Sequence, residues 1–175
     1  MNKIEMLSKQ TLDTYLWVHK LIDTTPDEKW NSIADVLDSN INWQVGHLVI
    51  SIYYHSILVI KGHQEDVLKQ LSLQKYLELY TFNSSPKKVV GKISPKELRN
   101  HLDIVEKKSI EVLNSLSQKD LTSDLVPGKV EHPVAKTKFE AIDWNIKHTM
   151  WHCGQIASLN RIVHKSYGFE LKKTE

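Results

Sequence analysis

Apolar residues recur at three- and four-residue steps over four long stretches of the chain, the spacing of helices that bury one face. The first stretch, about Ile4 to Asp23, places Ile4, Leu7, Tyr15, Val18 and Ile22 in one stripe, and Thr25-Pro26 ends it. The second, about Asn40 to Lys61, is apolar nearly all round and closed by Gly62, so it predicts a central helix buried on more than one side. The third opens at Ser94-Pro95, with Ser94 suited to the N-cap, Pro95 to the first helical position and Glu97 to a capping box. Its stripe is Leu98, Leu102, Val105, Val112 and Leu116. The fourth runs from about Thr137 to Ser166 and stops near Gly168. Val89-Val90, between Pro86 and Gly91, is too short for a strand.

These elements predict an all-α protein, a single four-helix-bundle domain over residues 1–175. About thirty residues separate the second and third helices, far more than a tight helical hairpin needs, so a long crossover joins them. Leu71 to Tyr80 adds a short helix within it. A second long loop, Ser117 to Lys136, carries Pro127-Gly128 and Pro133 and is expected over one end of the bundle.

Composition narrows the surroundings. The chain has 175 residues, enough to bury a core without covalent cross-links. Cys153 is its one cysteine, so no intrachain disulfide forms, and a reducing compartment is expected. The opening MNKIEMLSKQ lacks a signal-type apolar stretch, and Leu48–Ile60 is short for a bilayer and broken by Ser51, His55 and Ser56. A cytoplasmic protein is the expectation. With 23 basic and 21 acidic residues intermixed, no footprint for nucleic acid emerges, and Lys87-Lys88 and Lys172-Lys173 read as solvated loop and tail.

Candidate chemistry lies in the histidines. Each helical residue advances about 100°, so His152 lies about 40° round from His148, with Gln155 about 20° to the other side. Ala141, Trp144, Ile156, Leu159 and Ile162 share that sector, which puts both rings at the centre of the apolar face. An i, i+4 pair can bring two imidazoles onto one ion. His47, in a stripe with Trp43, Ser51, Tyr54 and Leu58, is a third such ring. His55 is turned about 80° from His47 and is not expected on the same ion. His63 and His132 fall in loops and His164 on an outer face; His19 and His101 are reserves for a fourth position.

Three neutral imidazoles leave a divalent ion its full charge and favour an open position for water. Zinc, nickel and iron all accept imidazole nitrogen. Thr149 stands where a zinc protease carries glutamate, and no Glu-x-x-His pair of di-iron type occurs on the second or fourth helix. Gln155 and Tyr54 could orient a histidine or bond a metal-held water; each could equally be a satisfied core polar group. Cys153 points about 100° away from His152 and reads as a small buried hydrophobe. Trp43, Trp144 and Trp151 could wall a pocket or simply pack the core. Histidines bonded to backbone or to Gln155, with no metal, would also explain the pattern.

NWQVGHLVIS, and about a hundred residues later HTMWHCGQIASLNR, resemble the DinB/YfiT-like superfamily, whose HxxxHxGQI signature falls here on His148, His152, Gly154, Gln155 and Ile156. The resemblance, in helix order and crossover, covers most of the chain. It implies an up-up-down-down four-helix bundle, one divalent metal held by His47, His148 and His152, and frequently a homodimer. Some members have glutamate at the position of His148; this chain belongs with the three-histidine type. Relatives include transferases and isomerases using bacillithiol, mycothiol or glutathione, and others described as metal-dependent hydrolases.

Two functions from different classes are therefore expected to compete. One is a metal-dependent enzyme acting on small molecules, a thiol-dependent S-transferase or a hydrolase. The other is a non-catalytic metal-binding stress-response bundle working through binding or assembly. A metal-free helical scaffold is the third.

Overall fold

A computed structural model describes residues 2–81, 83–128 and 131–169; Lys172-Lys173 lies outside them. Among the described residues there are helices and no strand, only two isolated bridges, Ala34 with Ser39 and Asp124 with Thr137. Helix α1 is Lys3–Ile22, started by an Asn2–Glu5 capping box. Helix α2 is Ile41–Tyr53, continued through a π turn, Tyr54–Leu58, and a last turn, Val59–Lys61. Gly62 closes it at φ 84°, a conformation open to glycine and costly for other residues. Two short helices follow, α3 (Glu65–Leu68) and α4 (Leu73–Tyr80), then α5 (Pro95–Asn114) and α6 (Lys138–Val163).

The predicted stripes become the core. Leu7, Tyr15, Val18 and Ile22 of α1 are buried, as are Leu98, Leu102, Val105 and Val112 of α5. Most of α2 is buried all round, as its unbroken apolarity requires. The α2 helix, Ile41–Lys61, is longer than the apolar run read from sequence and by length and composition could cross a membrane; here most of it is buried inside the bundle. The main packing pairs are α1 with α5 and α6, and α2 with α5 and α6, with α4 also against α2. The long helices α1 and α2, and likewise α5 and α6, therefore lie across the bundle from one another, while α2 and α5, joined by the long crossover, pack directly.

Two sequence expectations are corrected. Ser94 Oγ accepts the Glu97 N–H at 3.2 Å, but only this half of the capping box forms at α5. Helix α6 ends at Val163 rather than near Gly168, because His164 departs from helical geometry (φ −149°, ψ −88°).

Candidate metal centre

The second turn of α2 builds one side of the site. Asn40 caps the helix, its Oδ1 accepting the Trp43 N–H at 2.7 Å. His47 Nδ1 lies 2.7 Å from the Tyr80 carbonyl oxygen. A carbonyl only accepts, so Nδ1 carries the proton and Nε2 keeps a bare lone pair. Tyr80 is itself pinned: its hydroxyl donates to Asn42 Oδ1 at 2.9 Å and its ring lies against Gly46. Trp43 stacks on the His47 ring (5.0 Å, 8° between planes), while its Nε1–H donates to Ser84 Oγ at 2.8 Å.

Helix α6 supplies the other two rings. His152 Nδ1 donates to Gln44 Oε1 at 2.6 Å, which again leaves Nε2 bare. Gln44 is oriented in turn, its Nε2 donating to Gln155 Oε1 at 2.8 Å and Ser39 Oγ at 2.9 Å. Gln155 thus acts on the cluster through Gln44. His148 Nε2 and His152 Nε2 face each other at 3.2 Å, and one nitrogen from each of His47, His148 and His152 falls within 4.8 Å of the others.

These residues fit a divalent ion. Two of the three Nε2 lone pairs are exposed to one another's field by hydrogen bonds on the far side of each ring, the arrangement that orients histidine ligands. With His152 Nε2 unprotonated, a metal-free site can pair only through a proton on His148 Nε2, and His148 Nδ1 is buried with no partner in either tautomer. A cation between the nitrogens would take the His148 and His152 Nε2 lone pairs together, without that proton.

Burial sets the electrostatics. It holds His152 down to about 2 and His148 down to about 4, with His47 adding to both. His47 is also lowered, by burial against the opposing pull of its carbonyl bond. The imidazoles are neutral near pH 7, the form that binds metal. No carboxylate contributes to the shifts of these three rings.

The buried face of α6 includes most of the predicted apolar sector but is centred further round the helix. Asn145, Thr149, Cys153 and Asn160 are buried beside Ala141, His152, Ile156 and Leu159 of the predicted sector, so the inward direction lies about 75° round from His148. His148, Gln155 and Trp144 sit at its edge, and Ile162 is 53 % exposed near the helix end. A hydrophobic stripe cannot reveal an inward polar residue such as Asn145, which donates to the Tyr15 hydroxyl at 3.1 Å, or Asn160, which donates to the Leu21 carbonyl at 2.8 Å. At the edge, His148 lies on the seam of α2 and α6 and is partly exposed, while His152 beside it is buried.

Other residues fall differently from expectation. Tyr54 has no hydrogen bond to the three rings; it stacks on His132 (5.4 Å, 2° between planes). The π turn, a widened turn frequent at functional sites, brings His55 beside His148, with ring centroids 5.5 Å apart. His132, from the second long loop, meets His55 Nδ1 through Nε2 at 2.7 Å. The Ala135 N–H donates to its Nδ1 at 2.9 Å, so His132 Nε2 carries the proton given to His55. Uniform helical angles gave no sign of this pair. Trp144 and Trp151 border His148 at 5.8 and 6.3 Å, so with Trp43 they wall the site rather than fill the core. His101 bonds the Tyr76 hydroxyl and His19 bonds Glu106; neither joins the three rings. Cys153 is buried as predicted, its thiol pushed up to about 12 by burial.

The model of the DinB superfamily matches residues 14–156. The chain belongs to that superfamily. DinB membership and the histidine cluster together fit a metal-binding protein. The fold is similar to the crystal structure of a conserved protein from Enterococcus faecalis, with a TM-score of 0.70 over 93 % of this chain and 98 % of that one, at 14 % identity. No curated protein matches this DinB chain significantly.

Proposed function

We propose that this DinB-superfamily chain is a metal-dependent enzyme in which His47, His148 and His152 hold one divalent ion of zinc, nickel or iron. Its reaction joins a low-molecular-weight thiol to a small electrophile, with hydrolysis of a small molecule as the related alternative. The carrying observation is the commitment of His47 and His152 Nδ1 to Tyr80 and Gln44, which aims both bare Nε2 atoms toward His148.

When bound, the ion supplies Lewis acidity and eases deprotonation of the nucleophile it holds. The protein contributes placement and neutrality. Three uncharged imidazoles preserve the positive field. Trp43, Trp144 and Trp151 present aromatic surface to an apolar substrate, and the His55–His132 pair covers the side next to His148. The absence of any carboxylate among the groups shifting these rings favours a thiol over water, because a thiol near pKa 8.5 needs less help to ionise.

The test is thiol consumption by metal-loaded protein, with bacillithiol and glutathione offered beside a halogenated aromatic electrophile. Consumption that disappears in His148→Gln supports the transferase. Metal-loaded protein inert toward the thiols and toward ester and amide substrates would leave a bundle that holds metal without catalysis.

A further inference from the structure

The seam of α1 and α5 shares no helix with the three histidines and carries a second convergence of donor atoms. His19 Nε2 lies 2.7 Å from Glu106 Oε2 and 3.6 Å from Asp103 Oδ1, and the donor atoms lie within 4.8 Å of one another. Asp103 and Glu106 are three residues apart on α5, the spacing that puts two side chains on one helix face.

A histidine–carboxylate ion pair accounts for only part of this. Glu106 is 7 % exposed, and its second oxygen, Oε1, is buried with no hydrogen-bond partner. Among the described residues no lysine or arginine pairs with Asp103 or Glu106. One imidazolium against two carboxylates leaves a net negative charge in a partly dry seam, and burial pushes the Glu106 carboxyl up to about 7 in spite of His19. A buried carboxylate oxygen without a partner is costly, and a cation shared with the exposed Asp103 would hold Glu106 ionised.

We propose that His19, Asp103 and Glu106 form a second divalent-cation site. A 2+ ion would cancel both carboxylates with the imidazole neutral, and Glu106 can offer Oε1 as well as Oε2. One nitrogen and carboxylate oxygens are a donor set for zinc, manganese or iron(II) rather than for calcium or magnesium. The site lies open on the Asp103 side, where the carboxylate is 66 % exposed, so an ion can enter without the bundle opening.

Zinc titration calorimetry on full-length protein tests this, beginning with the His47→Ala, His148→Ala, His152→Ala variant. Helical content is checked by circular dichroism. The folded triple variant is expected to bind one zinc per chain, and adding Asp103→Asn should weaken it at least about tenfold. In otherwise wild-type protein, Asp103→Asn, a surface change with little bearing on folding, should weaken one of two binding events and leave the other. These readings do not depend on the first site being occupied. A folded triple variant that binds no zinc, or binding unchanged by Asp103→Asn in both backgrounds, would establish a plain ion pair and overturn the proposal.

Discussion

A Cβ placed on Gly46 would lie 2.2 Å from two ring carbons of Tyr80, so α2 and α4 meet here at a distance only glycine allows. The contact matters because the Tyr80 carbonyl receives the His47 Nδ1–H. A residue with no side chain thereby fixes the direction of a candidate ligand.

Gly46→Ala should displace Tyr80 and turn His47. Overpacking of this kind costs about 1–3 kcal/mol, partly offset by the better helix propensity of alanine. Metal affinity should fall about 10–100-fold, as when a histidine ligand loses its orienting partner. Denaturant unfolding and zinc titration would check both. Unchanged affinity would mean that the Tyr80 carbonyl does not set the His47 ring.

Gln44→Ala removes the acceptor at His152 Nδ1 and should also lower affinity about 10–100-fold. Gln155→Ala should have a smaller effect, since it reaches His152 only through Gln44. Equal losses for both would place Gln155 in direct contact with the ligands.

Acid should destabilise the metal-free protein. Folding holds His55 and His152 down to about 2 and His148 to about 4, whereas the unfolded chain takes up these protons near 6.5. Their contribution is fully present above 6.5 and is lost as pH falls toward the folded values, at roughly 1.4 kcal/mol per pH unit for each ring kept neutral. Glu106, raised to about 7, acts in the opposite sense: its contribution is present below about 4.5 and lost as pH rises through 7. His19, also raised, has the same sign as Glu106. The buried histidines outnumber this pair, so Tm should fall between pH 7 and 5. A flat or rising Tm would contradict the burial argument.

His132→Ala deprives His55 Nδ1 of its donor and the Ala135 N–H of its acceptor. Amide hydrogen exchange at Val134 and Ala135 should accelerate, with metal stoichiometry unchanged. Loss of metal in this variant would make the loop part of the coordination sphere.

Helix positions and the three histidines were legible because apolar spacing and an i, i+4 pair are local signals. Beyond that the pattern has meaning that only packing reveals. In NWQVGH, Asn42 anchors Tyr80, Trp43 stacks on His47, Gln44 holds His152 and Gly46 admits the Tyr80 ring. Two of these four roles involve Tyr80 of α4 and one involves α6, which no spacing within α2 announces; only the Trp43–His47 stack follows an i, i+4 step inside the helix. The edge position of His148 was hidden for a related reason, because Asn145, Thr149 and Asn160 are polar residues turned inward. His55 and His132 were set aside by uniform helical angles and by loop location, and the π turn with the folded loop brings them together.

The most direct measurement is the metal content of untagged protein by plasma mass spectrometry, beside the variant with His47, His148 and His152 all changed to alanine. The wild type should carry about one ion per chain more than the folded variant. Equal metal in both would contradict the three-histidine centre and the enzyme built on it.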